Sequence, residues 1–187
     1  MQSIYTKTAR AVQKGFTLVE LLIVVIILAI LAAIVIPQFS SSTTDAKEAA
    51  LKANLAALRS AIELYKVQHN GVYPGAAPAT GLTCTVGAAG TGAADTADAM
   101  TSQLAYYTNV AGQACTGADT QTKLGPYLRK GIPPDPITGT TTTVTIQTSG
   151  APLAAANTGG WKYDNKSGQI IIDHTGNDSK GVAYATY

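Results

Sequence analysis

Three features of this 187-residue sequence predict an α+β fold in which a long N-terminal α-helix packs on a small antiparallel β-sheet. Residues 16–36 form an apolar run long enough to cross a bilayer as a helix. Residues 45–69 carry leucines at helical spacing, which makes one apolar stripe. Residues 161–173 read as two short strand-like runs around a turn.

The apolar run, FTLVELLIVVIILAILAAIVI, holds a single charge, Glu20. A helix of ~20 such residues spans a hydrocarbon core of ~30 Å. Lys7, Arg10 and Lys14 lie just before it, and basic flanks stay cytoplasmic, so the rest of the chain is exported. A cleaved signal peptide has a shorter apolar stretch that ends in small residues. Here the run ends at Ile36-Pro37 and a helical pattern resumes. A plain signal anchor fits the length but leaves Glu20 unexplained. An acidic side chain costs roughly 2.5–3.5 kcal/mol at the centre of a transmembrane helix and less near its end, so Glu20 needs a partner.

Lys14-Gly15-Phe16-Thr17-Leu18-Val19-Glu20-Leu21-Leu22 resembles the processing site of type IV pilins and type II secretion pseudopilins. The resemblance implies that a prepilin peptidase cuts after Gly15 and that the new terminal Phe16 is N-methylated. It also implies that Glu20 pairs with the Phe16 amine of a neighbouring subunit. A carboxylate and an ammonium that are each costly in lipid are tolerable together. The implied partners are copies of the chain in a helical filament, the peptidase/N-methyltransferase, an inner-membrane assembly platform, and the membrane before assembly. The implied location is the inner membrane for a single-pass precursor, then a cell-surface or periplasm-spanning filament.

The expected organisation is a leader at 1–15, a transmembrane and polymerisation helix at 16–36, the amphipathic half of the same helix at 37–70, and a globular domain at 71–187. Pro37 removes a backbone donor and clashes with the preceding turn, so a kink is expected there. Asp45 reads as a cap or first-turn acid, with Glu48 three residues on. Leu51, Leu55, Leu58, Ile62 and Tyr65 form the stripe, and Asn70-Gly71 ends the helix. A helix from Phe16 to His69 would span about 80 Å. No globular domain buries that length, so its front half must find lipid or other copies of itself.

In the body, residues 75–122 form a variable loop rich in Gly, Ala and Thr, with a short helix expected over about 95–108 from the spacing of Ala97, Met100, Leu104 and Tyr107. Cys84 and Cys115, the two cysteines, belong to no CxxC pair. In an exported body they are expected to form one disulfide, the alternative being two unpaired thiols. Pro133-Pro134-Asp135-Pro136 reads as a rigid extended turn and resembles the turn that precedes the sheet in major pseudopilins. The sheet is expected over about 138–174: a strand at 140–148, then a hairpin whose turn is Asn165–Gly168, with Trp161 and Tyr163 on one face. Mid-chain cysteines depart from the family habit of a disulfide near the C-terminus.

Composition narrows the function. Apolar residues make up 46% and charged residues 13%, about half the usual charged share. Without the three leader cations, ten bases face eleven acids, and no Lys or Arg falls between Lys66 and Lys123. No nucleic-acid partner is expected from such a body, because phosphate binding needs a clustered basic surface. His69 and His174 are far apart with no ligand-spaced neighbours, which speaks against zinc. Asp173, Asn177 and Asp178, near Gly176 and Gly181, could gather calcium ligands, but the set is partial and a solvated turn is the favoured reading. No cofactor is implied, no catalytic motif can be read, and the chain is expected not to be an enzyme. Phe16, Phe39, Tyr65 and Tyr73 are too widely spaced to support charge conduction. Two roles remain, a polymerising major subunit and a minor or tip subunit that binds something. Glu20 favours the first, because tip-initiating family members often lack it. Between a pilus and a secretion pseudopilus, the Pro-Pro-Asp-Pro turn leans to the pseudopilus. The long middle insertion leans to the pilus, which is the preferred reading.

Overall fold

A computed structural model describes residues 15–139 and 141–187, with side chains given for all of these but 36–41. Lys7, Arg10 and Lys14 lie outside the described residues. The chain divides into two compact units at Thr43/Thr44. Helix α1, Leu18–Gln68, contributes to both.

In the first unit, Leu18–Val35 is an 18-residue span of mean hydropathy 3.3, none of it buried. Branched aliphatic side chains exposed on every face need lipid or other helices around them. The helical assignment continues through Pro37. The side chains around Pro37, and with them the kink expected there, lie outside what is described. Asp45 is not a cap. It sits well inside α1, because the helix begun at Leu18 is unbroken, and the first-turn acid is Glu20.

In the second unit, Leu51, Leu55, Leu58, Ile62 and Tyr65 are all at most 1% exposed. The same three-four spacing extends to buried Glu48 at one end and buried His69 at the other. Asn70 (φ 55°) and Gly71 (φ 85°) turn left-handed, and the Gly71 amide donates to the Lys66 carbonyl at 2.9 Å, which closes the helix as the Asn-Gly pair predicts.

The stripe packs on Met100 and Leu104 of α2 (Ala97–Ala105) and on the three-stranded sheet. Thr96 caps α2, its side chain accepting from the Ala99 amide at 3.2 Å. A two-stranded ribbon follows, β1 (Tyr107–Thr108) antiparallel to β2 (Ala114–Cys115). The sheet contains β3 (Val144–Gln147), β4 (Trp161–Asp164) and β5 (Ile170–Ile172), in that order. It is mixed rather than wholly antiparallel: β4 and β5 pair antiparallel, but β3 and β4 run parallel. Tight turns make antiparallel neighbours, whereas the long link between Gln147 and Trp161 lets the chain re-enter in the same direction. Thr140, the expected start of β3, lies outside the described residues.

Trp161 and Tyr163 share the buried face, as their alternation predicts. Their polar atoms are satisfied: Trp161 Nε1 donates to the Pro133 carbonyl at 2.8 Å and the Tyr163 hydroxyl to the Pro74 carbonyl at 3.1 Å. Asp135 organises the proline turn. Its fully buried carboxylate accepts from the Ile137 amide at 2.8 Å, the Gly160 amide at 3.2 Å and the Thr138 hydroxyl.

The glycine-rich stretch forms a hydrogen-bonded lobe. Gln103 of α2 accepts from the Gly75 amide at 2.6 Å and donates to the carbonyls of Ala77 and Gly112 at 2.8 and 2.9 Å. Cys84 and Cys115 are joined, with Cα atoms 5.9 Å apart at a sequence separation of 31. A link closing a loop of that length stabilises by about 3–4 kcal/mol in the chain-entropy account. Beside it, the Asp119 carboxylate accepts from the Thr122 and Gln121 amides and from the Thr85 hydroxyl at 2.8, 2.7 and 2.8 Å. Those donors, the Thr122 amide foremost, hold its carboxyl far below the usual carboxylate range.

Candidate processing and assembly site

Gly15, Phe16 and Thr17 precede the first helical residue, and Phe16 is 84% exposed. The Gly15–Phe16 peptide therefore lies outside the helical hydrogen-bond ladder, the state in which a protease can take hold of a backbone. The Leu21 amide donates to the Thr17 carbonyl at 3.2 Å, which makes Thr17 the N-cap. The Glu20 amide donates to Thr17 Oγ1 at 3.2 Å, and the Glu20 carboxylate reaches back to the Thr17 amide and hydroxyl at 3.5 Å each. This is a capping box. The Thr17-x-x-Glu20 spacing signals it in sequence, and the sequence reading missed it. An acid in the first turn also meets the positive end of the helix dipole.

The arrangement has a chemical consequence. Glu20 is the only charge in residues 16–36, and its partners among the described residues, the Thr17 amide and hydroxyl, are neutral. Cutting after Gly15 creates an ammonium one helical turn away, the only cation that hydrolysis there can supply.

A second polar cluster lies where the C-terminal segment crosses α1. Glu48, 6% exposed, accepts from the Ser179 amide and hydroxyl at 2.7 and 2.9 Å and from the Tyr184 hydroxyl at 3.4 Å. Tyr184 belongs to a 3-10 turn, Tyr184–Thr186. Lys52 stands 4.4 Å above the Tyr187 ring, and Arg59 donates to the carbonyls of Ile170 (3.2 Å) and Tyr187.

The calcium candidates serve different loops. Asp173 accepts from the amides of Ala156 and Asn157 and from the Thr158 hydroxyl. Asp178 accepts from the amides of Lys180 and Val182 at 2.8 and 2.7 Å and from the Tyr187 hydroxyl. The Tyr187 hydroxyl, working against burial, holds the Asp178 carboxyl below its usual range. Asn177 bridges to Ala183 through its backbone. Among the described residues, no group of three or more His, Cys, Asp or Glu side chains could hold a metal.

The N-terminal region carries the likeness to known proteins. Residues 10–36 match the family described as the prokaryotic N-terminal methylation motif. Among particular proteins, the chain is 45% identical over 65 residues to the type II secretion system core protein G of Pseudomonas aeruginosa, which covers 35% of this chain and 45% of that protein. It is 42% identical over 59 residues to PilA5, the type IV narrow pilus major component of Thermus thermophilus, which covers 32% of this chain and 51% of that one. The chain thus matches about half the length of these curated relatives. No solved structure matches it.

Proposed function

We propose that this chain is the major structural subunit of a type IV pilus filament. It is made with a leader at 1–15, cut between Gly15 and Phe16, methylated at Phe16, and polymerised through its N-terminal helix. The observation that carries this reading is the exposed apolar span Leu18–Val35, interrupted only by Glu20 in the turn that follows a Gly-Phe junction. Lipid holds that span in the precursor and neighbouring copies hold it in the filament, so the chain moves from the inner membrane to a filament. Likeness to a named pilus component supports this role. Its partners are then its own copies, the prepilin peptidase/N-methyltransferase and the assembly platform. A role in scaffolding rather than catalysis accounts for every feature of the site.

Two observations favour a second reading, the major pseudopilin of a secretion system: the likeness to a secretion core protein of comparable identity and the buried Asp135 turn. Electron microscopy of native filaments separates the two by filament length and composition.

Intact-mass and N-terminal peptide spectra of the protein from its native cell test the processing. The expected species begins at Phe16 and carries one methyl group on its amine. A mature chain that retains Met1–Gly15, or begins beyond Pro37, overturns the reading.

A further inference from the structure

His69 closes the buried face of α1, 1% exposed, where the disulfide-bearing lobe meets the helix. Its ring stacks on Tyr65 with centroids 3.6 Å apart, and Tyr127 approaches edge-on at 6.1 Å. Nδ1 lies 2.8 Å from the Tyr65 carbonyl, which can only accept, so Nδ1 carries the proton. In the neutral ring Nε2 is then bare and accepts from the Thr108 hydroxyl at 3.0 Å.

Thr108, fully buried, is a junction of the lobe. Its amide and carbonyl exchange hydrogen bonds with Leu124 at 2.9 and 3.1 Å, and it pairs with Ala114 beside the disulfide. His69 therefore pins three pieces of chain that are distant in sequence.

The surroundings favour an uncharged ring. The groups that face it are Tyr65 on α1, Thr108 and the Asn109 backbone at β1, and Tyr127 from the segment after Leu124. Lys66, the nearest charged residue on its own helix, turns away to Tyr73 at 2.8 Å and Glu63 at 3.7 Å. Among the described residues, no carboxylate bonds either ring nitrogen. Burial lowers the imidazole pKa, and the Tyr65 and Asn109 backbones offset this only in part.

We propose that His69 is an acid-sensitive latch between α1 and the Cys84–Cys115 lobe: a proton taken up from solvent at Nε2 turns that nitrogen from acceptor to donor toward Thr108, leaves in the interior a cation that no carboxylate among the described residues pairs, and loosens residues 107–124 from the helix. The sign follows from linkage. The folded ring binds its proton more weakly than the unfolded one, so the latch is fully stabilising above about pH 6.5. It weakens as pH falls from there through the lower folded value. The three strands of the sheet hold no histidine. Asp164 at the end of β4 and Asp173 just after β5 have carboxyls below the usual range: burial raises them, but amide and hydroxyl donors outweigh it. Their stabilising contribution is lost only below about pH 4. Acid should therefore open the lobe before the sheet.

Hydrogen exchange of the full-length protein in detergent, corrected for the intrinsic pH dependence of exchange, tests this. Between about pH 7.5 and about pH 5, wild-type peptides over 107–124 should lose protection roughly tenfold, about 1.4 kcal/mol of opening free energy, while peptides over 161–172 hold theirs. His69→Gln keeps a donor and an acceptor without the charge, and His69→Phe keeps the ring, so both should be flat over that range. Unchanged wild-type protection across 107–124, equal loss over 161–172, or the same acid response in folded variants would each overturn the latch. The wild-type comparison stands even if one variant fails to fold.

Discussion

Glu48 shows how a single charged side chain can hold the C-terminal segment in place. It occupies a position of the buried stripe where an apolar residue would fit the pattern, and its carboxylate is matched by Ser179 and Tyr184. Removing it strands the buried Tyr184 hydroxyl and releases the exposed Ser179 donors to water, and a buried donor left unpaired costs about 1–3 kcal/mol. Glu48→Ala should lower the unfolding free energy of the folded body by about that much. In detergent its 175–187 segment should become a ready proteolysis target while the hairpin stays protected. Wild-type stability and an uncut C-terminal segment would contradict this role. The reading of 45–69 named five apolar members of the stripe, and its spacing already reached Glu48 and His69. Polar residues in register do not announce burial, because their partners, Ser179 and Thr108, are set by tertiary structure.

Helix α1 and the β4–β5 hairpin were legible because each rests on local chemistry: a three-four stripe ended by Asn-Gly, and two alternating runs around Asn165–Gly168. Gly168 carries a sharper demand than its turn alone. It adopts φ 74°, and a Cβ there would lie 2.2 Å from the Tyr73 ring. Gly168→Ala should therefore destabilise the body by more than the ~1 kcal/mol of a left-handed alanine, because the ring must also move. Thermal or denaturant unfolding checks it, and an alanine variant as stable as wild type would show that Tyr73 yields freely. The direction of β3 was not legible. Nothing local to residues 144–147 says whether the strand beside it runs parallel. The link to β4 decides this, and its path depends on Asp135 and Asp173 gathering amides from distant loops. The lobe over 75–122 was illegible for a related reason. Its order comes from Gln103, Asp119 and the Cys84–Cys115 link, each tying together residues far apart in a sequence that locally reads as low complexity.

Across the molecule, two kinds of surface are joined in one chain. From Thr44 onward a conventional core is closed by the stripe, the sheet and α2. Before Thr44 lies an apolar helix with no protein cover of its own. The second unit carries its own core, while the first, on the proposed function, needs surroundings that change from lipid to other copies. On that reading Glu20 links processing to that change. Among the described residues its carboxylate meets the Thr17 cap. If the chain is cut after Gly15 as proposed, each copy carries both an ammonium and a carboxylate, and copies would satisfy one another and set their axial register. Glu20→Gln removes the charge with little change of volume, which separates pairing from insertion. The direct measurement is a filament count by microscopy in cells that make only Glu20→Gln subunits, beside a blot of membrane-bound mature protein. The predicted result is normal cleavage after Gly15, normal membrane levels, and few or no filaments. Filaments in wild-type number, built from Glu20→Gln subunits alone, would contradict the pairing on which the account rests.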